Sequence, residues 1–167
     1  MSDIKQADGA SAAITITLAS LASDGNMLAG RESNAIDNSS NKYLDYLVAG
    51  KITSGTTPTV DTAIELWCIG TVDDSFTFPD VFAGADANRT PTSRDMLAAC
   101  GVLVQTIHVT TGSNIEYWFR PASVASMFGG VLPKKFSFFV VHNSVAALHA
   151  TGGNHVLTVS PRYATVA

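Results

Sequence analysis

The chain carries four histidines, His108, His142, His149 and His155, and two cysteines, Cys68 and Cys100. A zinc site gathers His, Cys and carboxylate side chains from neighbouring elements. His142 and His155 end two successive strands and are placed to approach each other, but no carboxylate or thiol is expected beside them. They read as strand-end histidines bonded to backbone, and His108 reads as a solvent-side strand residue. The cysteines stand far apart and form no CxxC, so they read as buried free thiols, and no metal is assigned. Asp86 and Asn88 match part of a calcium loop but lack its glycine and distal Glu, which leaves a turn-forming role. A glycosidase needs two carboxylates facing one cleft, and no spacing here points to such a pair. Ser, His and Asp are all present, yet GxSxG does not occur. No catalytic residue and no cofactor is assigned, and the chain reads as a non-enzyme.

Two further sets could act by contact. Trp67, Trp118, Tyr117 and the Phe136, Phe138, Phe139 cluster read first as core, with a sugar or partner platform as the alternative. Arg31, Glu32, Arg89 and Arg94 lie in two long inserts. They are either solvated charges or pairs across a subunit contact, where Arg is common.

The elements that position these residues are strands. Phe136–His142 is apolar on both faces, as a central strand covered on both sides must be. A small-residue connection leads from it to a more alternating strand, His155–Tyr163. Ile14–Leu18 alternates with Thr15 and Thr17 and reads as a half-buried strand. In 43–53, Leu44, Tyr46, Val48 and Ile52 share one face, opposite Asp45, Lys51 and Thr53. In 63–71, Trp67 lies opposite Ile64, Leu66 and Cys68, which implies that its face is also covered. Val102–Val109 is a strand, TTGSN (110–114) a hairpin turn, and 115–120 a strand ended by Pro121. Thr92 and Asp95 suggest a capping box for a short helix at 93–99, and 123–128 reads as one turn closed by Gly129 and Gly130.

These patterns predict seven or eight strands and a single all-β domain. It is an antiparallel β-sandwich, jelly-roll-like, with two long loop inserts at 20–42 and 72–92. Residues 1–11 are expected as a flexible N-terminal arm and 12–167 as the domain. The length of 167 residues allows a core without disulfides. A net charge of −4 and only 14% charged residues argue against nucleic acid. No apolar run is long enough for a membrane helix and no secretory signal is seen, so cytoplasmic synthesis is expected.

Several phrases together resemble small structural proteins of tailed-bacteriophage virions. They are AITITLASLAS, AGRES, SSNKYLDYLVAGKITSG, IELWCIGTVDD, RPASVASMFGGVLPKKFSFFVVHN and ATGGNHVLTVSPRYATV. The resemblance spans residues 12–166, and AGRES and FGGVLPKKFSFFVVHN are its most specific parts. It implies a head decoration or cement protein on the outer capsid surface. Its partner would be the major capsid protein, and the subunits would form a homo-oligomer, with a trimer natural at a three-fold position. The alternative is a tail or fibre-associated module that binds host-surface glycans.

Overall fold

The computed structural model describes residues 3–74 and 77–166. Two antiparallel sheets face each other across one core. The strands are β1 (Ile4–Asp8), β2 (Ala12–Ala13), β3 (Gly30–Glu32), β4 (Ile36–Asp37), β5 (Asp45–Thr53), β6 (Ala63–Thr71), β7 (Ala87–Arg89), β8 (Gly101–His108), β9 (Glu116–Ser123), β10 (Lys135–His142) and β11 (Val156–Val166). Two short helices, α1 (Arg94–Cys100) and α2 (Val124–Met127), complete the fold with a 3₁₀ turn at Gly152–Asn154. The first sheet runs β1-β11-β5-β9, with β2 also on β11. The second runs β7-β3-β10-β6-β8, with β4 also on β10.

Strand β10 explains the layering. All eight of its residues are buried. Phe136, Phe138 and Val140 point into the core between the sheets, together with Ile52, Leu66, Phe119 and Leu157. Phe139 and Val141 point the other way, into a second cluster with Trp67, Ile69, Phe78, Phe82 and Leu97. The second insert and α1 therefore roof the outer face of the second sheet. Each fully buried Phe contributes about 1.5–3 kcal/mol of transfer free energy, so the roof is held by burial of the same kind as the sandwich. The cover expected over Trp67 is thus present, and Phe78 and Phe82 supply part of it. Phe76, in the same insert, lies outside the described residues.

Some local expectations fail for physical reasons. The strands β10 and β11 are not paired with each other; each is the centre of a different sheet. TTGSN likewise carries the chain from β8 in the second sheet to β9 in the first, so it is a crossing and not a hairpin. Turn residues signal a reversal of direction but not the sheet that receives the next strand. Ile14 and Leu18 are buried while Thr15 and Thr17 are exposed, yet the segment joins no ladder. It bridges the sheets instead: Ile14 N–H donates to Leu157 O, and Thr15 O accepts from Asn34 N–H. Leu44 precedes its strand and is 60% exposed, while Thr53 is buried at the strand end.

Pro121 does not end β9. The strand passes through it where the register against β5 shifts, between Val48 and Gly50. A bulge on an edge strand needs no donor from that residue. The N-cap of α1 is Ser93, whose hydroxyl accepts from Met96 N–H, while Thr92 bonds Asp80. The turn at α2 is closed by Gly129 and Gly130, both at positive φ (+74° and +92°), as their lack of Cβ permits. Lastly, the expected flexible arm contains β1. It pairs antiparallel with the end of β11, from Ile4↔Val166 to Asp8↔Arg162. The segment IKQAD lacks alternation, so only the partner strand reveals it as a strand; Met1 and Ser2 lie outside the described residues.

Candidate functional site

Of the four charges singled out in the inserts, Glu32, Arg89 and Arg94 lie on the roofed side of the second sheet, and Arg31 lies on its other face. Strand β3 lies between β10 and β7, so successive residues alternate across it. Glu32 faces the roof, beside Phe139, and is fully buried. Its carboxylate accepts from Gly84 N–H (2.7 Å), Ala83 N–H (3.1 Å), Arg89 Nε (2.8 Å) and Ser137 Oγ (3.0 Å). Arg31 turns the other way and donates to Asp86 through Nε (2.6 Å) and to Asn88 Oδ1 (3.2 Å). Asp86 also accepts from the backbone and hydroxyl of Thr17. Burial raises the Asp86 pKa, but the Arg31 and Thr17 bonds outweigh it and hold the carboxyl below its usual value.

Arg94, on α1, forms a fork with Glu65 of β6 (2.8 and 3.1 Å) and reaches Met27 O (3.0 Å). Its guanidinium lies 5.3 Å from the centre of the Trp67 ring, whose Nε1 donates to the same Glu65. A two-pronged guanidinium–carboxylate bond with a cation–π contact is a strong local clamp. Arg31, Glu32, Arg89 and Arg94 thus pair within the chain, tying both inserts and α1 to the sheet. Of their partners, Asp86 was marked in the sequence only as part of an incomplete calcium loop, and Glu65 carried no signal beyond charge.

The histidines sit at one end of the sandwich. His142 is buried, with Nδ1 against Ser144 Oγ (2.9 Å) and Nε2 against Leu21 O (3.0 Å). His155 Nε2 donates to His149 O (2.8 Å), and its Nδ1 accepts from Thr53 N–H (3.3 Å). Burial pushes the pKa of both rings down, against their backbone hydrogen bonds. Both are bonded to backbone, as read from sequence, and His108 is exposed. Among the described residues, no group of three or more His, Cys, Asp or Glu side chains could hold a metal ion. Cys68 is buried and Cys100 half-buried; both are free, and burial raises both thiol pKa values.

The aromatic set divides. Trp67, Tyr117, Phe136, Phe138 and Phe139 are core, but Trp118 is 65% exposed on the outer face of the first sheet. Two other surface features had no sequence signal. One is an apolar cleft of about 600 Å³ between Val72 and Val131, floored by Phe78, Phe128 and Leu132. The other is the ribbon made by β1 and residues 162–166 of β11. Past Arg162 no strand among the described residues lies on the far side of β11, and most residues of both members are exposed, with Tyr163 packed against Tyr43. Ile4 and Val166 stand open at its tip and Leu44 at its root, where Leu44 N–H donates to Arg162 O. No helix among the described residues is long and apolar enough to cross a membrane. Comparison with protein-family models, curated proteins and solved structures finds no match.

Proposed function

We propose that this chain is a non-catalytic structural domain of a tailed-phage virion, which binds the assembled capsid from outside and stabilises it. The observation that carries this reading is the β1–β11 ribbon. A two-stranded ribbon with little packed surface is marginal in water, and an edge strand offers unpaired N–H and C=O groups to a neighbour. Ile4 and Val166 at its tip and Leu44 at its root add exposed apolar surface. Such an element gains most of its stability from what it docks against. The flagged charges support the reading indirectly, since they brace the inserts within the chain.

We also read the connectivity as a jelly roll. Its support is the pair of four-strand runs β2-β11-β5-β9 and β3-β10-β6-β8, in which β3, β5 and β6 and then β9, β10 and β11 alternate between sheets. Viral capsid domains are among the proteins that use that architecture, an analogy at the level of fold alone. The partner is the major capsid protein, and copies assemble symmetrically on the lattice, as trimers at three-fold positions. A ligand that binds only the assembled shell stabilises it by mass action, and many weak contacts sum over the lattice.

The test mixes purified protein with expanded heads that lack it, then sediments and heats them. Saturable co-sedimentation with a raised disruption temperature is expected, and deletion of residues 1–8 should weaken binding while the domain stays folded. Protein that remains in the supernatant at saturating concentration would overturn the reading.

A further inference from the structure

We infer that the open face of the first sheet is a carbohydrate site that seats one pyranose ring against Trp118. The two sheets are treated differently by the chain. The second insert and α1 cover the outer side of the second sheet, whereas the outer side of the first leaves a Trp 65% exposed. Strand register builds what surrounds it. Trp118 lies directly across from Lys51, which lies across from Val156, so the three form a row over β9, β5 and β11. The next row inward on that face pairs Ala49 with Thr158. Small side chains beside a large one leave a hollow: a cleft of about 250 Å³ lined by Ala49, Gly50, Lys51, Trp118, Val156 and Thr158.

The polar groups stand over and beside the indole. The Lys51 ammonium lies 5.6 Å from the centre of the Trp118 ring and is held there by its ion pair with Glu116. Thr158 supplies a hydroxyl, and Arg120, two residues along β9, is exposed. This is an apolar floor and aromatic wall with donors and an acceptor close by, the usual make-up of a small-molecule site. A pyranose has the matching form: a C–H face that packs on an indole, and equatorial hydroxyls that both donate and accept. The volume falls below the ~300–1,000 Å³ of sites for drug-sized ligands, so it suits one sugar ring of a longer chain. A second protein is the poorer fit, because Lys and Glu are depleted at the centres of protein interfaces.

The test titrates the full chain with cellohexaose, chitohexaose and an alginate hexamer at millimolar concentrations, following tryptophan emission. Trp67 is buried, so a change reports Trp118. At least one of the three is expected to bind saturably. Trp118→Ala should lower its affinity by about tenfold, the scale of a lost aromatic contact, with an unchanged melting temperature. Lys51→Met should weaken binding while leaving the emission of the free protein that of an exposed Trp. Failure of all three probes to bind, or equal binding by Trp118→Ala, overturns the inference. So does concentration-dependent self-association that Trp118→Ala abolishes, since the face would then be a subunit contact. Capsid co-sedimentation is a separate measurement, so the two readings fail separately.

Discussion

Glu32 offers the sharpest test of how the inserts are held. Its carboxylate is inaccessible to solvent and takes four hydrogen bonds, one of them from the Arg89 guanidinium. Glu32→Ala leaves the Ala83 and Gly84 N–H groups without their acceptor and Arg89 without its counter-charge. Breaking a buried ion pair from one side costs about 3–5 kcal/mol. The Arg89 side chain retains 22% exposure, so water can recover part of its hydration, and the lower half of that range is expected. For a domain of this size each kcal/mol moves Tm by about 2–4 °C, which gives a fall of roughly 6–16 °C. Glu32→Gln keeps an oxygen for the two backbone donors and should cost less, about 2 kcal/mol. The control is Asp74→Ala, which removes an equally short pair with Lys134 whose side chains are 76% and 47% exposed. That change should stay within about 0.5 kcal/mol. Urea unfolding of the three variants gives the comparison. If Glu32→Ala costs no more than Asp74→Ala, the clamp is not what holds the inserts down.

Two further outcomes are expected. Thiol titration of the unreduced protein should return two thiols after denaturation, with Cys100 reacting slowly in the native state and Cys68 not at all; finding none would reveal a bridge. Stability should fall as pH drops below about 6.5, the ordinary histidine value. His142 and His155 have depressed pKa values in the fold, so in that window the unfolded chain binds more protons and is favoured. A Tm that stays flat from pH 7.5 to 5, or a slope unchanged in His155→Gln, would count against this.

The fold was legible where strands are long and buried. Phe136–His142 announced a central strand because both of its faces are apolar, and Trp67 announced a cover because a large apolar residue sat on the supposed outer face. The short strands β3, β4 and β7 were not legible: two or three residues carry no period, and they exist because long β10 gives β3 and β4 a template. Ile14–Leu18 shows the converse, since alternation records burial and not hydrogen bonding. The candidate charges were found by type, and Glu32 and Arg89 pair with each other, but Asp86 and Glu65 were not found as partners, because Arg31 meets Asp86 only after two inserts fold over one sheet. Trp118 was visible as facing away from Tyr117 and Phe119; that nothing among the described residues roofs it is a matter of which sheet the second insert chose.

The position of β10 and β11 in the chain has a consequence for biosynthesis. Each is the middle strand of a sheet, and each follows in sequence every strand it pairs with. A ribosome therefore delivers β3, β5 and β6 before the strands that join them. The β6–β8 and β5–β9 pairs can form early, but each then shows a long unpaired edge on the side where its missing neighbour belongs. The nascent chain is most prone to aggregate in that interval, which ends only when residues 135–166 leave the exit tunnel and close both sheets in succession.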